Sequence, residues 1–283
     1  MSTSKDFGLQ FALSVTKSNL LHFGLWEAGE TVTFQSIPEA QQKYAEEVLK
    51  LIPENTHTIL DIGCGTGVIA SQLVDRGFKV DCVSPDTLLN QKTEKEYRDK
   101  LTLYCSKFED LEIDKKYDLL LMMESCQYLR LERSFQNCQK LLNSSGAILI
   151  SDTFRVNTKR DYKDWHVLDT FLEAIKKYGF KIDYSRDITK ETAPTAELGT
   201  KLYADYMLPI SKNLLSSLEH SIQRKRTYRL LWRIVKKIFR KRIDKMQRDF
   251  YEKVPKMLDK NNYLENVRYM IFLLKRNTSS TTE

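Results

Sequence analysis

The chain has 283 residues, 41% of them hydrophobic, which is enough for one large domain or a domain carrying an insertion. Its net charge of +7 and pI of about 9.0 admit an anionic partner only where the basic residues cluster. No N-terminal stretch has the basic-then-apolar pattern of a signal peptide, and no apolar run approaches the roughly 20 residues of a membrane span. A cytoplasmic protein is expected, with a place at a membrane surface left open. Cys64, Cys82, Cys105, Cys126 and Cys138 form no CxxC pair and are read as free thiols in a reducing compartment, not as metal ligands.

The elements follow in chain order. "PEAQQKYAEEVLKLI" has helical spacing and a proline at its start. "TILDI" is a short buried strand, "GVIASQLVDRG" a helix that stops at Gly77, and "FKVDCV" a second strand. "LTLYC" is a weaker third strand and "YDLLLMME" a long apolar fourth. The helix "ERSFQNCQKLLNSSG", the strand "GAILISDTF", the helix "VLDTFLEAIKKYGF" and the strands "KIDYSRDI" and "VRYMIFLLKR" complete the series. Strands alternating with helices imply an α/β fold with a parallel sheet covered on both faces.

The turn after the first strand reads "DIGCGTG". A dinucleotide-binding turn has GxGxxG spacing and seats a pyrophosphate on the helix N-terminus. Here the spacing is Gly63-x-Gly65-x-Gly67, and Asp61 stands before it. An acid there repels a pyrophosphate and suits a ligand that has a cationic amine and no phosphate. S-adenosylmethionine is such a ligand, and glycines let the backbone approach it closely.

On these residues the chain resembles the Rossmann-like (class I) S-adenosylmethionine-dependent methyltransferases. The resemblance starts at "ILDIGCGTG" and continues through "SKFEDL", "YDLLLMMESCQYL" and "GAILISD". It implies a mostly parallel seven-stranded sheet with helices on both faces, a helical N-terminal segment and a helical insertion before the last strand. "LHFGLWE" followed by "EAQQKYAEEVL" is similar to the subgroup acting on small molecules, which includes sterol, tocopherol, quinone and natural-product enzymes. The resemblance implies cofactor contacts from Asp61, Gly63, Gly65 and Gly67. Where many members carry a ribose-binding acid this chain has Ser84, with Asp86 two residues later. Phe108 and Glu109 fall where the family binds adenine.

Glu124 ends the fourth strand, so it stands at the mouth of the ligand site and is a candidate for the cofactor or for catalysis. Gln127, Tyr128 and Asp152 are expected around the acceptor, although Asp152 could equally cap a turn. Methyl transfer asks mainly for alignment, with a base only where the acceptor must lose a proton. His22 and Glu124 are the candidate bases, with His166 ranked behind them. Phe23, Trp26 and His166 are expected to line the substrate pocket, and no metal spacing is found.

Between Leu218 and Phe250 there are twelve Lys/Arg and three Asp/Glu, a net of +9, so the remainder of the chain is near −2. Tyr228, Trp232, Val235, Phe239, Ile243, Met246 and Phe250, widened by Leu231 and Ile238, form one helical stripe. Three readings stay open: a helix packed on the domain, a helix on anionic lipid, or nucleic-acid binding, which the apolar stripe argues against. The expected organisation is 1–52, a helical lid segment; 53–195, the cofactor-binding core; 196–261, a basic helical insertion or lid; 262–276, the last core strand; and 277–283, a frayed tail. A small-molecule methyltransferase, monomeric or homodimeric, is the leading expectation. An RNA methyltransferase and a non-catalytic cofactor-binding interaction protein are the alternatives.

Overall fold

A computed structural model describes residues 13–156, 165–223 and 259–277, with a few single positions between 241 and 256. The apolar stripe from Tyr228 to Phe250 lies outside the described residues, as does the tail beyond Asn277. The chain divides into two compact units, Met1–Thr192 with Asn266–Glu283, and Ala193–Glu265.

After a helical turn at residues 13–16, the first unit continues with α1 (Ile37–Leu49), whose first turn carries Pro38. There follow β1 (Thr58–Ile62), α2 (Val68–Asp75), β2 (Lys79–Val83), α3 (Thr87–Tyr97), β3 (Thr102–Tyr104) and β4 (Tyr117–Met123). Next come α4 (Leu131–Leu141), β5 (Leu142–Arg155), α5 (Leu168–Lys177) and β6 (Phe180–Asp187). Helix α6 (Thr189–Leu202) leads into the second unit, which contains α7 (Leu208–Gln223) and ends in α8 (Lys260–Asn266), before β7 (Val267–Arg276) returns to the sheet. Among the described residues no helix is long and apolar enough to cross a membrane.

The seven strands form one sheet in the order β3-β2-β1-β4-β5-β7-β6. β1 to β5 run parallel, while β7 is antiparallel to both β5 and β6. The apolar runs follow from helices covering both faces. Leu60, Ile62, Leu120, Met122, Ile148 and Ile150 face the cluster built with Phe135, Phe171 and Ile175 of α4 and α5. Their neighbours Ile59, Leu119, Leu121, Ala147 and Leu149 face Tyr44, Val48 and Leu73 of α1 and α2. Each leucine of Leu119–Leu121 is fully buried, and burial of such a side chain contributes about 1.5–3 kcal/mol. That run holds β4 at the centre of the sheet.

Two elements differ from the sequence expectation. The helix expected to reach Gly146 ends at Leu141, because Leu142 already pairs with Tyr117 of β4 and β5 begins there. Helix α3 has no counterpart in the sequence reading. Its polar stretch "TLLNQKTEKEY" buries only Asn90 and Thr93, so a weak apolar stripe gave no periodic signal.

Candidate active site

The turn after β1 is built by backbone geometry that glycine permits. Gly63, Gly65 and Gly67 have φ of 81°, 57° and 79°, in the left-handed region. A Cβ on Gly63 would lie 2.4 Å from the Ser125 Cβ, and one on Gly67 would lie 2.7 Å from Thr93 Cγ2. On Gly65 the nearest atom would be Leu21 Cδ1 at 3.4 Å, so this glycine leaves open space on the cleft side. The turn is tied to the N-terminal segment by the Thr66 hydroxyl, which donates to the Asn19 carbonyl at 2.7 Å.

Asp61, at the end of β1, is 3% exposed, and among the described residues no donor is bonded to its carboxylate. Burial pushes its pKa up to about 7. A buried acid without a donor is costly unless a ligand supplies one.

At the end of β2, Asp86 caps α3, its Oδ1 accepting from the N–H groups of Leu88 and Leu89 at 3.0 Å each. Ser84 Oγ accepts from Asp86 N at 3.2 Å, which leaves the Ser84 hydroxyl hydrogen to donate. After β3, Phe108 is buried, and Asn137 Nδ2 holds its carbonyl at 2.6 Å. The hydrogen bonds of that turn run from Asp110 and Leu111, so the Phe108 N–H takes no part in them. Glu109 Oε1 accepts from Arg130 N at 2.8 Å, which joins the β3 end to the start of α4.

Glu124, just past β4, has φ of 54°, an unusual backbone for a residue with a side chain. Its N–H donates to the Ser151 carbonyl at 2.8 Å. Its Oε1 accepts from Phe23 N at 2.5 Å and from the Tyr269 hydroxyl at 2.6 Å. Burial pushes its pKa up to about 8, against the pull of those two donors. His22 is 7% exposed, and burial takes its pKa down to about 4. Neutral His22 donates from Nδ1 to the Phe23 carbonyl at 2.9 Å, which makes Nε2 an acceptor with no partner among the described residues.

These groups meet in one cleft of about 880 Å³. Its walls include Asp61, Gly63, Gly65, Ser84, Asp86, Phe108, Glu109, Glu124, Tyr128 and His22, while Gly67 faces Thr93 and Tyr97 of α3. Five expected pocket residues are not among those lining it. Trp26 is 4% exposed and is fixed by its N–H on the Glu191 carbonyl. Phe23 packs its ring 5.8 Å from that of Tyr269. Asp152 is fully buried and accepts from Gln127 N at 3.0 Å and Thr153 N at 2.7 Å, so it caps the turn after β4. Gln127 turns its amide to the Glu124 carbonyl at 3.4 Å. His166 Nε2 bonds the Cys126 carbonyl at 3.1 Å. Main-chain partners thus hold the side chains of Asp152, Gln127 and His166 behind the wall instead of in it.

Sequence reasoning missed Leu20, Leu21, Met123, Leu129, Lys107, Arg130 and Arg133, which also line the cleft, and Tyr269 behind Glu124. Tyr269 had one signal: a hydroxyl in the apolar strand "VRYMIFLLKR" needs a buried partner.

Comparison with known proteins agrees with this geometry. The chain is 34% identical over 110 residues to a ubiquinone biosynthesis O-methyltransferase of Rickettsia bellii, covering 37% of this chain and 44% of the relative. It is 28% identical over 149 residues to a malonyl-[acyl-carrier protein] O-methyltransferase of Anoxybacillus flavithermus, covering 51% of this chain and 56% of the relative. The chain thus spans about half the length of the curated relatives it matches. A geranyl diphosphate C-methyltransferase from Streptomyces coelicolor, solved with S-adenosyl-L-homocysteine, shares the fold at a TM-score of 0.66 and 14% identity, over 96% of this chain and 97% of that one. Residues 37–181 match the family described as "Methyltransferase domain". Because that match takes in more than half of the sequence and contains the whole glycine turn, the chain belongs to this methyltransferase-domain family.

Proposed function

We propose that the protein transfers a methyl group from S-adenosylmethionine to an oxygen of a small, partly apolar molecule. The observation that carries this reading is the pairing of two acids in one cleft. Asp61 stands at the glycine turn without a donor, and Glu124 has one carboxyl oxygen bonded and the other without a partner among the described residues. The donor set fits the cofactor: Asp61 for its amine, the open side of Gly65 for its methionine part, Ser84 or Asp86 for its ribose, and the Phe108 N–H for its adenine. When bound, S-adenosylmethionine supplies an electrophilic methyl group on a sulfonium.

The chain's own residues bind, orient and take up a proton. Glu124 accepts the proton of the acceptor hydroxyl on its free oxygen, so activity rises with pH through the Glu124 pKa of about 8. Leu20, Leu21, Met123 and Leu129 give the acceptor an apolar wall. The O-methyltransferase names of the two relatives support oxygen as the target.

The test is label transfer. The protein is incubated with methyl-labelled S-adenosylmethionine and a small-molecule extract, and the expected product is an O-methylated metabolite. Glu124→Gln should slow that transfer about tenfold or more. Label appearing only in RNA or protein would sink the reading.

Two finer points belong to the same proposal. The five cysteines are free, which suits a reducing cytoplasm. The net +9 between Leu218 and Phe250 suits docking on an anionic membrane, each basic residue near such a surface contributing about 1 kcal/mol. Flotation with anionic vesicles at low salt should carry the protein. Replacing Arg233, Lys236, Lys237, Arg240 and Lys241 by glutamine should leave it in the soluble fraction, and a parent that never floats ends the idea.

A further inference from the structure

The acid at the end of β4 is held by a residue 145 positions away in sequence. Tyr269 sits on β7 opposite Thr153 of β5 and is fully buried. Its backbone is pinned on both sides: its N–H donates to Thr189 Oγ1 at 2.9 Å, and its carbonyl accepts from Ile188 N at 2.8 Å. Its ring lies between those of Tyr44, met edge-on at 5.7 Å, and Phe23, at 5.8 Å. Tyr44 in turn donates to Ser151 Oγ at 2.7 Å and packs against the His22 ring at 4.5 Å. The Tyr269 hydroxyl therefore has one location, and there it meets Glu124 Oε1.

We infer that Tyr269 is a positioning residue for Glu124: its hydroxyl anchors one carboxyl oxygen, turns the other to the cleft, and favours the ionised carboxylate that takes the acceptor's proton. This rests on the reading of Glu124 as the base.

The charges around Glu124 make the hydroxyl matter. Tyr44 of α1, Asp152 of β5, Tyr128 of its own turn and His22 of the N-terminal segment face or adjoin it, and each is neutral or acidic at pH 7. Among the described residues no cation is paired with Glu124. The ionised carboxylate is supported by two neutral donors, Phe23 N–H and Tyr269 O–H, against burial and the Asp152 charge. The positive φ of Glu124 and its N–H bond to Ser151 fix where its Cα lies at the end of β4.

Tyr269→Phe keeps the ring and its packing and removes the donor. Infrared titration of the ligand-free protein, taken as the difference from Glu124→Gln, isolates the Glu124 carboxyl. In Tyr269→Phe its ionisation midpoint should rise by about one pH unit. The pH profile of label transfer should shift by the same amount, with parental circular dichroism. Tyr44→Phe, whose hydroxyl bonds Ser151, should shift the midpoint less. An unmoved midpoint in Tyr269→Phe, or a loss of rate equal at every pH, overturns the inference. If Glu124→Gln transfers label at the parental rate, the base reading fails, and the titration still decides whether Tyr269 governs the carboxyl.

Discussion

Asp61→Asn removes one charge from the glycine turn and changes little else, since among the described residues no donor is bonded to that carboxylate. A hydrogen bond to a charged group contributes about 1.5–3 kcal/mol, and each 1.4 kcal/mol is about tenfold in Kd. Affinity for S-adenosylmethionine should therefore fall roughly ten- to hundredfold in Asp61→Asn at pH 8. The parent carries a second signature. Burial holds the Asp61 pKa up at about 7, and a cationic amine favours the ionised form. At pH 6 only about a tenth of the acid is ionised, so parental affinity should be about tenfold weaker there than at pH 8, with proton release on binding. Isothermal titration calorimetry in two buffers of different ionisation enthalpy reads both the affinity and the proton count. A parental affinity flat between pH 6 and 8, or an Asn variant that keeps the parental slope, would refute the assignment of Asp61 to the amine.

Gly65→Val should abolish cofactor binding with far-UV circular dichroism unchanged, because the side chain would enter the open space at φ 57°, whereas Gly63→Ala should lower the melting temperature through its 2.4 Å approach to Ser125 Cβ. Ser84→Ala should weaken binding of S-adenosylmethionine more than it weakens binding of methionine if this hydroxyl holds the ribose; equal effects on both would return the role to Asp86. Asp86→Ala should cost about 1 kcal/mol of stability by denaturant unfolding, the usual value of a helix cap. Asp61, Glu124 and Asp152 hold their protons to about pH 7 to 8 in the fold, so the ligand-free protein should lose stability as pH rises through that range. His22 and His166, with depressed pKa values, act the opposite way only below about 6.5. The melting temperature should therefore fall from pH 6.5 to 8, and a rise across that window would contradict the burial of these acids.

The sequence alone determined whatever is local in the chain. A left-handed turn demands glycine, so Gly63, Gly65 and Gly67 could be read as a ligand cradle before any coordinates. Strands covered on both faces must be apolar throughout, so "YDLLLMM" could be read as a long apolar strand. Asp61 was legible because it is fixed to the strand end immediately before the turn. The tertiary structure decided what depended on partners distant in sequence. Asp152 and Glu124 look alike as acids after strands. One meets the N–H groups of Gln127 and Thr153 and caps a turn, while the other keeps an oxygen free in the cleft. His22 and His166 look alike as lone histidines. The Cys126 carbonyl holds His166 behind the wall, while His22 lies against Tyr44 inside it. The hydroxyl that grips Glu124 comes from β7, placed beside β5 only when the chain returns after α8. Periodicity in a sequence reports which face of an element is buried, but which donor waits on that face is set by the packing of strands and helices from elsewhere in the chain.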